Sequence, residues 1–188
     1  LDWDRARGGY VKFSFAGLTL QGFHSSREKG IPTGAFGITF GDGRAKTLDE
    51  QSFVGLKYER LLPHYQRLNL RGYFNHYRYR GTYPYDQEDY HTLFSDANDG
   101  QWLGGEAQFT WDLRSDNRLI AWAEYQKHLQ VRYHTWDLEE ADIFDGDYPF
   151  TVLSFYMEDE YQVTRELTFT LGWRWDRYAM AKSSANPR

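Results

Sequence analysis

Apolar and polar residues alternate with period two, aromatics are abundant although no long apolar run exists, and short connections alternate strictly with long ones. Together these features predict an all-β fold: an antiparallel up-and-down transmembrane β-barrel with about eight strands in this chain. The alternation is plain in Arg67–Asn75. There Leu68, Leu70, Gly72 and Phe74 fall on one side, and Arg67, Asn69, Arg71, Tyr73 and Asn75 on the other. A helix would scatter both sets around its circumference, whereas a strand lines each along one face. Aromatics make up 19% of the 188 residues, with 15 Tyr, 13 Phe and 7 Trp, yet the mean hydropathy is −0.77. A barrel reconciles the two, because only alternate residues meet lipid and aromatic girdles sit at both interfaces. No run approaches the roughly 18 apolar residues that a membrane helix needs.

Eight strands are expected, at about 9–15, 18–26, 51–60, 66–81, 101–112, 117–133, 149–163 and 166–178. In the first, Val11, Phe13 and Phe15 oppose Tyr10, Lys12 and Ser14. Ala16-Gly17 then makes a tight turn into the second. A long connection follows at about 27–50; its five glycines suggest a mobile loop. The third and fourth strands are joined by the short Leu61–Tyr65 segment, and a long loop at about 82–100 precedes the fifth. In the fifth strand Gly105, Ala107, Phe109 and Trp111 alternate with Glu106, Gln108, Thr110 and Asp112. Arg114-Ser115-Asp116 is short, and a long acidic loop at about 134–148 follows the sixth strand. In the seventh, Phe155, Met157, Tyr161 and Val163 form the apolar set, with Asp159 marking its interfacial edge. Thr164-Arg165 turns into the eighth, where Leu167, Phe169, Leu171, Trp173 and Trp175 alternate with polar residues. Short turns on one side and long loops on the other match periplasmic turns and extracellular loops. The fourth and sixth strands exceed the 9–11 residues that cross a bilayer, so their polar ends should project outward.

Several stretches resemble the C-terminal barrel region of TonB-dependent outer-membrane receptors. Gly17–Gly22 leading into Ser26–Thr33 is similar to a strand and outer-loop entry in one branch of that family. Asp159–Thr164 followed by Leu167–Gly172 and Arg174-Trp175-Asp176 resembles its recurrent hairpin. Trp102–Glu106 and Ala123-Glu124-Tyr125 are similar to other strand openings, and Asn186-Pro187-Arg188 to the start of a further segment. The resemblance implies a bacterial outer-membrane location and uptake of a scarce nutrient such as a metal chelate, cobalamin or a carbohydrate. Such receptors have 22 strands, an internal plug domain and a TonB-contacting segment. The chain is therefore expected to be a middle piece of the barrel. Its partners would be outer-membrane lipid, a small nutrient ligand, and the TonB complex acting through a plug that lies outside these 188 residues.

Candidate residues follow from the two faces. Arg71, Glu106, Glu124, Glu158 and Arg174 are expected on the lumen wall, where Lys57, Arg71 and Arg174 could meet the three glutamates. Packed into a narrow dry barrel such charges would need nearly complete pairing, which favours a wide watered lumen. In the outer loops, Arg27 and Lys29, together with Tyr83, Tyr85, Tyr90 and His91, are the expected ligand contacts. Acids interleave the second group (Asp86, Glu88, Asp89, Asp96, Asp99), a mixture suited to a cationic ligand or a metal chelate. Asp137, Glu139, Glu140, Asp142, Asp145 and Asp147 could hold a hard cation, but without EF-hand spacing. A solvated loop tip explains them as well.

Other function classes find little support. The six histidines lack metal-ligand spacing, Gly41-Asp42-Gly43 lacks the Lys of a phosphate loop, and the net charge of −5 offers no basic nucleic-acid surface. Without cysteine there is no thiol catalyst or disulfide. Asp89 with His91, or His134 with Asp137, come without a positioned nucleophile. No catalytic residue, metal or cofactor is expected. Two rivals remain: a self-contained eight-stranded barrel with a structural or adhesive role, and a soluble calycin-like barrel. In the second, Leu68, Leu70, Phe74, Phe169 and Leu171 would face a ligand cavity, since alternation alone cannot set which face points inward.

Overall fold

The computed structural model describes residues 2–87, 90–137, 142–179 and 184–187; the side chains of residues 87, 90 and 184–187 are not described. The described residues form one antiparallel sheet. Its strands are β1 (Asp4–Phe15), β2 (Leu18–Gly30), β3 (Lys46–Leu62), β4 (Gln66–Gln87), β5 (Tyr90–Arg114), β6 (Asn117–Asp137), β7 (Phe144–Asp147), β8 (Phe150–Gln162), β9 (Thr168–Tyr178) and β10 (Ser184–Pro187). Each pairs with its neighbour in sequence, except that β7 is a short flap on the outer part of β6. The order begins at β1 and ends at β10, and among the described residues no pairing joins those two ends. A 3₁₀ turn at Ala35–Gly37 is the only helical element described.

Register sorts the side chains into two faces across the whole sheet. On one, Phe13 stands opposite Leu20, Leu20 opposite Leu56, and Leu56 opposite Gly72. The same face continues through Leu70, Ala107, Ala123, Phe155 and Trp175. This apolar face is not covered: Phe13 is 72% exposed, Leu56 50% and Leu171 74%. The buried hydrophobic residues among those described are only Ile38, Ala45 and Val152. The sheet therefore has no hydrophobic core of its own. Its order rests on continuous backbone ladders, which satisfy every interior strand on both sides.

The strands run longer than the alternation alone suggests, and three expected loops are corrected. The segment 82–100 is paired strand almost throughout, because β4 and β5 continue in register from Gly81↔Asp96 to Gln87↔Tyr90. Glycine and proline at 81 and 84 suggested a break. Pro84 is accepted at this outer end of the sheet, where it is fully buried and its carbonyl takes Thr39 N–H at 2.9 Å. The connection at 27–50 shrinks to 31–45. It is also pinned rather than loose: Ile38 and Ala45 are buried, and Tyr85 hydroxyl donates to Phe36 carbonyl at 3.4 Å. In 134–148, β6 extends to Asp137 and β7 folds back upon it; Glu139 and Glu140 lie outside the described residues, as do Glu88 and Asp89.

The opposite ends of the strands close tightly. Ala16 and Gly17 both have positive φ, +47° and +82°, the two-residue turn whose twist matches a right-handed hairpin. At Gly17 a side chain is excluded twice over. Its φ is left-handed, and the Glu59 carbonyl oxygen lies 2.5 Å from where a Cβ would stand. That carbonyl belongs to the residue whose N–H donates to Gly17 carbonyl at 2.8 Å, so the turn also registers β1–β2 against β3. Replacing Gly17 by Val should lower the folding yield sharply and raise amide exchange across β1–β3. Ala16→Gly should stabilise by roughly 0.5–1 kcal/mol by relieving the strained φ. Equal exchange protection in G17V and the parent would refute this account of the turn.

Candidate functional site

The second face is polar, and the expected wall residues lie on it. Arg71, Glu106 and Glu124 occupy neighbouring places in one cross-strand row. Arg71 Nη1 reaches Glu106 at 3.2 Å, and Tyr73 hydroxyl donates to Glu124 at 2.5 Å. The Arg71 guanidinium also lies over two rings, 5.5 Å from the centre of Phe53 and 4.9 Å from that of Tyr73. Glu106 and Glu124, directly opposite one another, would repel if left alone; the arginine and the phenol each take one. Lys57 pairs with Glu59 at 2.9 Å and Arg174 with Asp176 at 2.9 Å, each on its own strand. Glu158 accepts from Tyr156. Of the anticipated cross-strand pairings only Arg71 with Glu106 forms. The reason is geometric: residues i and i+2 share a face about 7 Å apart, within easy reach of a long side chain.

Above this row the polar face carries a transverse line of rings. Phe23 and Phe53 have centroids 6.0 Å apart, Trp102 and His128 5.7 Å, and His128 and Phe150 4.0 Å. Asn75 occupies the β4 place between Phe53 and Trp102. Neighbouring glycines make room for such rings: Tyr73 fills the space that a side chain at Gly104 would need.

Further out, β4 places Tyr77, Tyr79, Tyr83 and Tyr85 on the same face as Tyr73, one at nearly every second residue. All five are half-buried. Tyr77 donates to Asp49 at 2.8 Å, and Tyr79 and Tyr83 hydroxyls bond to each other. Burial, with the Asp49 carboxylate beside it, pushes the Tyr77 phenol up to about 12. Burial also raises Tyr79 and Tyr83. Tyr77, Tyr79 and Tyr83 therefore stay neutral at physiological pH. The column's outer end is braced by Phe36, edge-on to Tyr83 at 6.3 Å, and by Phe94 at 6.3 Å.

The expected outer contacts are only partly brought together. Tyr83 and Tyr85 lie in the column. Arg27 and Lys29 share its face two strands away, about 10 Å to the side, where Arg27 grips Asp4 with Nε at 3.0 Å. His91 faces the other way, paired with Asp86 on the opposite face. The side chain of Tyr90 lies outside the described residues. Of the two pairings weighed for catalysis, that of Asp89 with His91 lies outside the described residues, and His134 bonds Asp142 at 2.8 Å. Among the acids, Asp145 holds Arg132 at 2.6 Å and Asp147 accepts from Val131 N–H at 2.7 Å. Among the described residues no three His, Cys, Asp or Glu side chains converge as metal ligands.

No protein-family model matches the chain, and no curated protein matches it.

Asp96 lies on the column's flank. It stands opposite Gly81, half-buried, with Oδ1 enclosed and unpaired. Burial holds its carboxyl above the ordinary aspartate range. A raised acid is unfavourable to folding once pH exceeds its unfolded value, because the fold then carries a charge it shelters from water. Asp96→Asn should therefore raise the thermal midpoint at pH 7, the gain fading as pH falls through the aspartate range and the parent carboxyl protonates. Melting curves at several pH values check this; a loss of stability at pH 7 would show that the carboxylate has a favourable partner.

Proposed function

We propose that this chain forms part of the wall of a bacterial outer-membrane β-barrel receptor, with its apolar face against lipid and its polar face lining the lumen. The observation that carries the reading is the exposed apolar face, continuous from β1 to β9, with Arg71, Glu106, Glu124, Glu158 and Arg174 on the opposite one. From Leu103 to Trp111 its outward positions run over nine residues of β5, within the roughly 9–11 that a tilted strand needs to cross a bilayer. Aromatics gather at the band's short-turn edge, with Phe15, Trp111, Tyr161 and Phe169 on the outward side. The same exposure speaks against a calycin-like cavity, in which Leu70, Phe169 and Leu171 would be enclosed rather than 39%, 62% and 74% exposed. The order of strands, with β1 and β10 at its two ends, supports a larger barrel completed by further strands over a self-closed one.

The receptor role rests on the resemblance of Arg27–Thr33 and Asp159–Asp176 to TonB-dependent receptors. In that reading the extended β4–β5 hairpin and the 31–45 connection capture a scarce nutrient. A plug domain gates the lumen, and an inner-membrane complex supplies energy through TonB. The wall charges keep the lumen wetted, and no covalent chemistry is assigned to this chain.

The full-length protein should fold only in detergent or lipid and migrate differently on electrophoresis before and after boiling. Leu56→Arg, in the middle of the lipid face, should cost about 2–4 kcal/mol of folding stability in bilayers. Thr19→Arg, on the watered face, should cost far less. A monodisperse monomer obtained without detergent would sink the membrane reading.

A further inference from the structure

We propose that the tyrosine column of β4 is a binding track for a neutral saccharide, leading from the outer hairpin down to the wall at Arg71. The proposal rests on the receptor reading and names the class of nutrient.

Five phenols, Tyr73, Tyr77, Tyr79, Tyr83 and Tyr85, stand on one face of one strand, spanning about 40 Å from first to last. They share that face with Arg71 at the foot and with Arg27 and Lys29 two strands to the side. Packing accounts only for the column's outer end, where Phe36 of the 31–45 connection lies edge-on to Tyr83 and accepts from Tyr85; Tyr73, Tyr77 and Tyr79 are half-buried within the sheet. Nor is it a lipid girdle, since it lies on the face opposite the apolar band.

What flanks the rings decides the ligand. On the β3 side stand Asp49 and Gln51, opposite Tyr79 and Tyr77. On the β5 side stand Asn98 and Gly100, opposite the same two. Each of these phenols thus has a carboxylate or amide on one side and an amide or an open glycine on the other. Rings offer a π-face to the C–H face of a pyranose, while amides and carboxylates take its hydroxyls in both directions. A polyanion would meet Asp49 and Asp96 unfavourably. A bare metal ion finds no ligand set among the described residues. A planar aromatic chelate could stack, but has little use for the Asp49 carboxylate beside Tyr77 and Tyr79.

The experiment is calorimetric titration of the full-length protein in detergent with maltohexaose, cellohexaose, xylohexaose and chitohexaose, and in parallel with a ferric catecholate. At least one hexasaccharide should bind. Tyr79→Ala and Tyr85→Ala should each weaken it about tenfold, the scale of one lost stacking contact. Tyr79→Phe and Tyr85→Phe, which keep the ring, should stay within about threefold of the parent. Three results would overturn the track: none of the four saccharides binds, the catecholate binds in their place, or the Phe variants lose as much as the Ala variants. Heat-modifiable migration, measured on every variant, reports the barrel separately from the ligand. A protein that keeps it and binds no saccharide refutes this inference alone, whereas one that lacks it refutes the barrel.

Discussion

One constraint governs the molecule: a single-layered sheet has two faces and no inside. Its backbone groups are satisfied laterally, strand by strand, so the chain needs no second layer to close its hydrogen bonds. That freedom leaves the apolar face bare. Covering a Leu, Phe or Met side chain is worth roughly 1.5–3 kcal/mol, and this face presents Phe13, Leu20, Leu56, Phe155, Met157 and Leu171 with nothing against them. Left bare in water, such a surface over eight strands is costly. An apolar phase resolves the imbalance without any change in the sheet.

On the other face the constraint is reversed, because charges stand close together in a row. Arg71 is the hub. It neutralises Glu106, lies over Phe53 and Tyr73, and so helps to place the phenol that donates to Glu124. Two carboxylates face one another there without a second cation, because Tyr73 supplies a hydrogen bond where charge is lacking. Glycine makes the arrangement possible: any side chain at Gly104 would collide with the Tyr73 ring. The same economy of space recurs at Gly55 beneath Phe53 and at Gly81 beside Tyr83. Glycines in these strands are therefore receptacles for rings on the polar face, which is how a strand can hold bulky aromatics and still pair closely.

This explains what was legible in the amino acids and what was not. Period-two alternation in Arg67–Asn75 and in Thr168–Asp176 reveals strand and face together, because nothing local competes with it. Beyond Gly81 the local signals oppose the sheet: glycine, proline and a run of acids read as a loop, while the tyrosines at 77, 79, 83 and 85 keep the strand phase. The phase was the better guide, since cross-strand pairing can hold a strand against weak propensity. His91 illustrates a different limit. Its proximity in sequence to Tyr83 and Tyr85 suggested a shared site, but only the register sends it to the opposite face. In β6 no reading of periodicity finds the bulge where Trp102 pairs His128 but Gln101 pairs Gln130. The extra residue flips the phase, so that Val131 and Tyr133 join His128 on the polar face. A bulge is set by the partner strand, and the partner's register is not written in the bulged strand itself. The pairing of Arg27 with Asp4 was hidden for the same reason, as were the corrected wall pairings.

The outer region then acquires a different physical character from that of a set of waving loops. Ile38, Ala45 and Pro84 are buried where the 31–45 connection meets the β4–β5 hairpin, among the described residues the one place where a connection packs over the sheet. Phe36 sits there with φ of +60°, a strained backbone held by its neighbours: the T-shaped contact with Tyr83 and the bond from Tyr85 to its carbonyl. Binding surfaces on mobile loops lose affinity to the ordering of each side chain and segment. Here folding has already ordered the rings, their flanking amides and the connection that braces them. A ligand meeting this hairpin meets a surface whose shape is set by strand register, so its selectivity should follow the spacing of alternate residues on β4 rather than the adaptability of a loop.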